Sequence, residues 1–250
     1  MLNRTLSVLT AALLLTLGAA NARADQLTVA FAIAKPPFVY QTETGAARPG
    51  EAKGIELDIM KAALAPRGHT FTPLFTTYDG LQGEVLSGAA DAAATVRPDD
   101  PALHYSTEFV YFHNYAILPK DAPAPAKIED LAIKSMVAWE GATKDLGPIF
   151  AAAAAKSPDY AEMGDQKAQV AAFLEGQFDA LIIDGTIFRY WAKVLGKDAG
   201  AYALYPLFGG RTPFVVGFAD AGLRDDFDAG MKEIRQNGVY DVLFNSYIAD

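Results

Sequence analysis

The chain contains no cysteine, so it can form no disulfide, cysteine-bound metal site or lipid anchor on a cysteine. Its three histidines, His69, His104 and His113, are too scattered for a histidine metal motif. The net charge is −9 and no run of five basic residues occurs, which disfavours nucleic acid and anionic lipid as partners. A Gly-x-Ser-x-Gly elbow, a Walker loop and a dinucleotide-binding glycine loop are also missing. The sequence therefore predicts no metal, no cofactor, no catalytic triad and no nucleic-acid partner.

Long apolar runs are confined to the N-terminus, where residues 1–24 match a secretory signal peptide. Arg4 gives a positive start, an apolar stretch covers 6–20, and Ala22-Arg23-Ala24 fits the cleavage site. The apolar stretch is short for a membrane span, which disfavours an N-terminal anchor. Cleavage after Ala24 would remove two positive charges and leave 226 residues with a net charge of about −11. An exported chain without disulfides is compatible with the periplasm, where we expect this protein to act as a monomer.

A short pattern occurs twice in the mature chain, with an offset of 88 residues. Leu86-Ser87-Gly88-Ala89-Ala90-Asp91-Ala92 and Leu174-Glu175-Gly176-Gln177-Phe178-Asp179-Ala180 each end a helix pattern at glycine, turn at aspartate and lead into an apolar strand. Arg97 follows the first strand and Asp184 follows the second. Ligands bind beyond the carboxyl ends of strands in open α/β sheets, so two such lobes would present a cation and an anion to one cleft.

The remaining segments alternate strand and helix patterns, which indicates an α/β class. Predicted strands cover 26–34, 71–75 and 135–138 in addition to the two that follow the repeat. Predicted helices cover 54–64, 78–87, 166–174, 185–195, 223–236 and 239–248. Two further runs, 110–118 and 212–219, are candidate crossings between lobes. This predicts one lobe from 25–112 plus 217–250, a second from 113–216, and a hinge that lets them close on a ligand.

The mature chain resembles the bacterial extracellular solute-binding proteins of family 3, the amino-acid receptors of ABC importers. The resemblance rests on the order and spacing of several short motifs: Pro36-Pro37-Phe38 with Tyr40, Gly54-Ile55-Glu56-Leu57-Asp58-Ile59, Tyr78-Asp79-Gly80-Leu81, Ser106 before an aromatic strand, Gly141-Ala142-Thr143, and Gly176-Gln177-Phe178-Asp179-Ala180 with Asp184. It implies the type II periplasmic-binding-protein fold, in which two lobes, each a mainly parallel sheet flanked by helices, are joined by two hinge strands.

The resemblance also implies ligand contacts, residue by residue. Asp184 matches the acid that receives the ligand amine, although an aspartate there also suits the N-cap of the next helix. Arg97 is the candidate clamp for a carboxylate, because a guanidinium fork matches that group. Arg97 lies about two residues before the family arginine, so either it reaches in from a shifted turn or the clamp is missing.

Other candidate ligand contacts fall on predicted turns at the same edge. The resemblance implies that Phe38, Tyr40 and Tyr78 stack around the ligand, and that Thr143, with Gly141, meets a carboxylate through backbone N–H and hydroxyl. Thr95 at the end of its strand, Lys35 before the prolines and Glu140 at a strand-to-helix turn complete the candidate set, the last two more weakly. Because alanines stand where the family often has an acid for basic side chains, a neutral or acidic ligand is favoured.

The predicted function is capture of a small polar metabolite, an amino acid or related carboxylate, and its delivery to an ABC permease. Two alternatives from other classes remain open. One is a lyase similar to the periplasmic cyclohexadienyl dehydratases of this scaffold, with Glu108 or Glu140 as the acid. The other is a non-transport accessory protein of a periplasmic dehydrogenase.

Overall fold

The computed structural model describes residues 26–32, 35–41 and 51–248. The predicted signal peptide and its cleavage site after Ala24 lie outside the described residues. Among the helices described, none is long and apolar enough to cross a bilayer.

The described strands form two large sheets and a small hairpin. Their bounds are β1 Gln26–Ala32, β2 Tyr40–Gln41, β3 Ala52–Lys53, β4 Thr70–Thr76, β5 Ala92–Val96, β6 His104–Tyr105, β7 Val110–Phe112, β8 Asn114–Pro119, β9 Met136–Trp139, β10 Tyr160–Met163, β11 Ala180–Asp184, β12 Tyr202–Tyr205 and β13 Thr212–Phe218. The first sheet has the order β4-β1-β5-β13-β6, with β7 also paired to β13, and the second has the order β10-β9-β11-β8-β12. In both sheets the first three strands of that order are parallel.

Helices cover the faces of these sheets. Their bounds are α1 Ile55–Leu64, α2 Leu81–Leu86, α3 Ala142–Asp145, α4 Pro148–Ala154, α5 Gln166–Leu174, α6 Gly185–Val194, α7 Ala221–Gln236 and α8 Val239–Ser246. The predicted helix 78–87 is a 3₁₀ turn over Tyr78–Gly80 followed by α2. His104 lies in the short strand β6.

The repeated sequence pattern corresponds to a repeated topology. The orders β4-β1-β5-β13 and β10-β9-β11-β8 match strand for strand, with an antiparallel strand in fourth place. Both repeat glycines, Gly88 and Gly176, adopt φ 78° and close the preceding helix. Asp91 Oδ2 accepts the Thr28 N–H at 2.7 Å, and Asp179 Oδ2 accepts the Ser135 N–H at 2.8 Å. Each aspartate therefore fastens the repeat turn to the start of the central strand.

The chain passes between the sheets twice. Strand β7 ends in the first sheet and β8 begins in the second, so the first passage is at His113, within the predicted run 110–118. All of β13 pairs with strands of the first sheet, which differs from its predicted role as a crossing. The return lies instead between β12 and β13, at 206–211. An apolar strand pattern shows that β13 is buried but does not tell which sheet it joins. We propose 206–211 in place of the predicted lobe boundary at 216.

Apolar side chains from both sheets form a continuous core. One buried cluster includes Val29 and Phe31 of β1 as well as Leu181 and Ile183 of β11. The C-terminal helices α7 and α8 pack on α1, which covers the outer face of the first sheet. The C-terminal helices therefore pack on the same lobe as α1.

Candidate functional site

The candidate site lies at the carboxyl ends of the parallel strands. Lys35 follows β1, Arg97 follows β5, Gly141 follows β9 and Asp184 ends β11. In α/β sheets this edge carries the ligand-binding loops, because the strand ends leave a crevice between adjacent connections. The two sheets bring these residues to one region, where Asp184 of the second sheet lies close enough to Lys35 of the first to influence its pKa.

Asp184 is buried and holds three backbone N–H groups. Oδ1 accepts from Thr186 at 2.8 Å and from Ile187 at 3.0 Å, which caps α6, while Oδ2 accepts from His113 at 2.7 Å. Burial raises the pKa of Asp184, and the three N–H donors and the positive charge of Lys35 oppose that shift. The N-cap role is therefore observed, together with a bond to the first passage between the sheets. A carboxylate has about four acceptor positions, so one remains for a ligand donor.

Lys35 lies in an aromatic pocket of the first sheet. Its Nζ is 3.9 Å from the centroid of the Phe112 ring and 5.6 Å from that of Tyr78. The ring faces attract a cation, and this attraction strengthens when water is excluded. Burial lowers the pKa of Lys35, and the negative charges of Glu56 and Asp184 oppose that shift. Lys35 is thus held among aromatic rings rather than exposed in a loop.

Glu56 is a site residue that sequence reasoning missed. It stands in the first turn of α1 and is only 1% exposed. Burial raises its pKa to about 7, against the effect of the Lys35 charge. A signal was available, because Glu56 shares the apolar face of α1 with Ile59 and Met60, three and four positions later. An acid on an apolar helix face indicates a buried carboxyl group with a specific partner.

Thr95 adopts a strained backbone conformation next to Glu56. Its φ is 60°, which is rare for a β-branched residue and costs roughly 1–3 kcal/mol. The cause is a bulge, since Ala94 and Thr95 both lie opposite Val216 of β13. Ser106 holds Val216 in place by two hydrogen bonds of 2.9 Å, one through its backbone N–H and one through its hydroxyl oxygen. The bulge therefore sets the direction of the Thr95 side chain.

Two buried oxygens in this region have no hydrogen-bond partner beyond each other among the described residues. Glu56 Oε2 and Thr95 Oγ1 lie side by side, and the Thr95 hydroxyl opposes the rise in the pKa of Glu56. Unsatisfied buried polar atoms are rare and costly, and they often mark a place where a ligand or water binds. Thr95, unlike Glu56, was already a predicted contact.

Arg97 follows the last residue of β5, and its side chain is exposed. Its guanidinium carbon is 5.7 Å from the Phe214 ring centroid. It borders a shallow cavity of about 190 Å³ with Tyr78, Gln82 and Asp99. The Gln82 side-chain amide donates to Asp99 Oδ1 at 2.5 Å and so fixes the turn that follows Arg97. A carboxylate clamp by Arg97 stays a prediction.

The three predicted aromatic contacts have different surroundings. Phe38 is fully buried and packs on Phe112, with ring centroids 4.4 Å apart, so it forms part of the core here. Tyr40 contacts Tyr190 of α6, with centroids 6.1 Å apart, and this pair links the two lobes. Tyr78 is 44% exposed beside Lys35 and Arg97. Of the three, Tyr78 is the most exposed.

The turn between β9 and α3 already holds a carboxylate. The N–H groups of Gly141 and Thr143 donate to the two oxygens of Glu162, at 2.8 and 2.9 Å. Tyr160 donates its hydroxyl to the same side chain at 2.7 Å. The N–H groups of Gly141 and Thr143 were predicted to bind a ligand carboxylate. In this structure they bind the carboxylate of Glu162, a residue of β10. Glu140 beside them is exposed, and its side chain lies against Gly164.

The described residues include no cluster of three or more side chains suited to a metal ion. The groups near the carboxyl ends of the strands are instead an ammonium, two buried carboxyl groups, hydroxyls and aromatic rings. Such a set binds a small polar solute through hydrogen bonds and charge.

The sequence matches the model of the bacterial extracellular solute-binding proteins, family 3, over residues 27–250. The chain belongs to this family. Its resemblance to the family, stated from short motifs, is thereby confirmed over residues 27–250. No curated protein matches the chain.

Solved structures of amino-acid-binding proteins share the fold. An ancestral cationic amino-acid solute-binding protein matches with a TM-score of 0.72 at 19% identity, covering 89% of this chain and 95% of that one. The second substrate-binding domain of Lactococcus lactis GlnP, in an open conformation, gives 0.68 at 21%, covering 90% and 96%. An ABC transporter substrate-binding protein of Streptococcus pneumoniae, bound to L-arginine, gives 0.62 at 19%, covering 90% and 97%. The type II periplasmic-binding-protein fold is thus confirmed.

A second structure of the ancestral protein, which is a precursor of cyclohexadienyl dehydratase, also matches this chain. Its TM-score is 0.63 at 18% identity, covering 89% of this chain and 95% of that one. The identities of all these structures are too low to carry a ligand or an activity across to this chain.

Proposed function

We propose that this protein is a periplasmic receptor that captures a small polar metabolite, an amino acid or related carboxylate, by lobe closure. It would deliver this solute to an ABC permease of the inner membrane. The observation that carries the proposal is the charged cluster at the carboxyl ends of both sheets, where Lys35 of the first lobe and Asp184 of the second lie within electrostatic reach. Opposite charges on two hinged lobes favour a solute that carries both kinds of group.

The residues of the cleft suggest how the solute is held. Lys35 would receive its anionic group, because the ammonium is the most central cation on the first lobe. Asp184 would receive a donor such as an amine through its free acceptor position. The buried oxygens of Glu56 and Thr95 would accept further donors of the solute. The exposed ring of Tyr78 would cover the solute from one side.

A ligand screen with matched variants tests this proposal. Lys35→Met and Asp184→Asn should each weaken binding tenfold or more, on the order of 1.4 kcal/mol or above, since each removes a charge-assisted hydrogen bond. Asparagine can still cap α6 through its amide oxygen, but its NH2 group cannot accept the His113 N–H, so circular dichroism must first show that this variant is folded. Asp220→Asn, an N-cap of α7 that follows β13 at the opposite edge, is the control and should bind like wild type.

The screen begins with native mass spectrometry of the purified protein, which detects a retained solute. Isothermal titration of that solute or of an amino-acid panel then gives the affinities. Binding that is unchanged in both cleft variants would contradict the proposed site. Indifference of the wild type to the whole panel would contradict the proposed ligand class.

One observation favours a second function, that of a lyase. Glu56 is a buried carboxyl group with a pKa of about 7 beside a lysine, which suits general acid–base catalysis. Glu108, one acid considered from sequence, forms an ion pair with Arg211 at 2.9 Å and is less suited to that role. Incubation with prephenate or arogenate, followed by absorbance, tests this function. Turnover that Glu56→Gln abolishes would establish it, and stable substrate would exclude it.

A further inference from the structure

We propose that Glu162 is a specificity-determining residue that fills the anion-binding turn of the second lobe. The solute taken by this cleft therefore contributes hydrogen-bond donors, and no carboxylate, to that lobe. This inference rests on the proposed function, since it concerns what the cleft selects. It assigns a role to a residue that neither the sequence motifs nor the comparisons single out.

The first argument is the geometry of the Glu162 carboxylate. Each of its oxygens accepts one backbone N–H, from Gly141 at 2.8 Å and from Thr143 at 2.9 Å. Those are ordinary distances for charge-assisted hydrogen bonds to a carboxylate. The Tyr160 hydroxyl adds a third bond at 2.7 Å. All three donors are then engaged within the second lobe, and an incoming carboxylate would have to displace Glu162 to reach them.

The second argument is the charge state of Glu162. Burial acts to raise its pKa, but the N–H groups of Thr143 and Gly141 and the Tyr160 hydroxyl outweigh it and hold that pKa below the ordinary value. Glu162 is accordingly an anion at neutral pH. A solute carboxylate that approached this turn would meet a like charge, which disfavours its binding there.

The third argument is the distribution of charge between the lobes. The second lobe supplies two carboxylates, Asp184 and Glu162, whereas the first supplies the ammonium of Lys35 beside the buried carboxyl group of Glu56. The single ammonium selects the orientation of the solute, with its anionic group toward Lys35 and its donors toward the second lobe. Specificity of this kind uses a repulsive element as well as attractive contacts.

Acetate rescue of Glu162→Ala tests the proposal, with acetate as the probe. Removal of the side chain leaves two N–H groups without a partner, so the variant should melt below wild type. Tens of millimolar sodium acetate should raise its melting temperature above the value in equimolar sodium chloride, because acetate can occupy the vacated turn. Wild type should show no acetate-specific rise. In addition, glycine should bind the variant at least tenfold more tightly than wild type, while methylammonium should show no gain.

Asp130→Ala provides the matched control. Asp130 Oδ2 also accepts two backbone N–H groups, from Ala126 at 2.8 Å and Lys127 at 3.1 Å, but it lies before β9, away from the carboxyl ends of the strands. Its loss should lower the melting temperature without an acetate-specific rescue. Equal rescue of both variants would overturn the proposal, since any vacated N–H pair would then bind acetate. Absence of rescue in folded Glu162→Ala would also overturn it.

A measurement on the wild type keeps the proposal testable if the variant does not fold. In ¹H–¹⁵N spectra the amide signals of Gly141 and Thr143 should titrate together, with a midpoint below the ordinary pKa of glutamate. They should also stay unmoved when acetate is added at neutral pH. Independent titration of the two amides, or an acetate-dependent shift, would refute the role of Glu162. Because acetate replaces the natural solute, both experiments are informative even if the proposed transport function fails.

Discussion

Lys35 and Glu56 are ionisable side chains in a place where neither is well hydrated. Transfer of a charge out of water is costly, and the attraction between opposite charges offsets that cost only when the geometry is good. Here the aromatic faces of Phe112 and Tyr78 help to hold the ammonium, while one oxygen of Glu56 has no partner beyond the Thr95 hydroxyl among the described residues. The balance leaves Glu56 with a pKa near neutrality, so its charge depends on pH in the physiological range.

Replacement of Glu56 by glutamine should change how stability depends on pH. A carboxyl group with a higher pKa in the native state binds more protons when folded, so the wild-type free energy of unfolding falls as pH rises from about 4.5 to about 7. Glutamine does not titrate, so Glu56→Gln does not lose this stability as pH rises. Its stability relative to wild type should increase by up to about 3 kcal/mol between about pH 4 and about pH 8.

Urea unfolding at several pH values measures this difference. Glu129→Gln, at an exposed position between β8 and β9, is the control for the loss of one carboxyl group. A constant difference between Glu56→Gln and wild type would mean that the Glu56 pKa is ordinary in the folded protein.

At the scale of elements, close contact between α1 and α7 fastens the C-terminal helices to the first lobe. Gly230 of α7 is buried directly against the backbone of Ala63 in α1, and a Cβ at position 230 would collide with the Ala63 carbonyl group. Glycine is otherwise unfavourable inside a helix by about 1 kcal/mol. Its presence here is explained by the short distance between the helix axes.

Gly230→Ala should therefore destabilise the protein, although alanine is the better helix former. The side chain cannot move away from a backbone atom, so the helices must separate, at a cost of roughly 1–3 kcal/mol. Gly83→Ala in α2 is the matched control, because a Cβ there meets nothing within 4 Å. That change should be neutral or stabilising by up to about 1 kcal/mol. Chemical denaturation of both variants measures the contrast, and equal effects would contradict the packing explanation.

At the scale of the whole molecule, one apolar cluster spans both lobes, and several polar contacts also link them. The buried cluster runs from β1 to β11, the Tyr40–Tyr190 contact bridges the lobes, and Asp184 bonds to the passage at His113. Domains that share a large apolar interface tend to unfold together rather than separately. The lobes can still close on a solute, because hinge motion needs only a few residues at the two passages.

Thermal unfolding should accordingly be a single transition. Both tryptophans, Trp139 and Trp191, lie in the second lobe, so their fluorescence reports on that lobe alone. Far-ultraviolet circular dichroism reports on the whole chain, and the two midpoints should coincide. Gly230→Ala in the first lobe should lower the tryptophan midpoint by the same amount as the dichroism midpoint. An unchanged tryptophan midpoint would show that the lobes unfold independently.

The sequence by itself determined the local elements and the class of the protein. Periodicity located α1, α5 and the repeat strands β5 and β11 to within a few residues, because side-chain spacing reports directly on which face is buried. The repeated glycine and aspartate predicted two similar lobes, and the order of the short motifs indicated the family. All of these features depend on neighbouring residues along the chain.

Only the tertiary structure decided which distant groups meet. Glu162 reaches Gly141 from 21 residues away because β10 and β9 pair in parallel register, and no local pattern encodes that partner. The strain at Thr95 likewise arises from a bulge against β13, more than a hundred residues later. Sheet register and burial set these contacts, whereas sequence periodicity reports only on the exposure of each element. The charges in the cleft therefore follow from the fold as a whole.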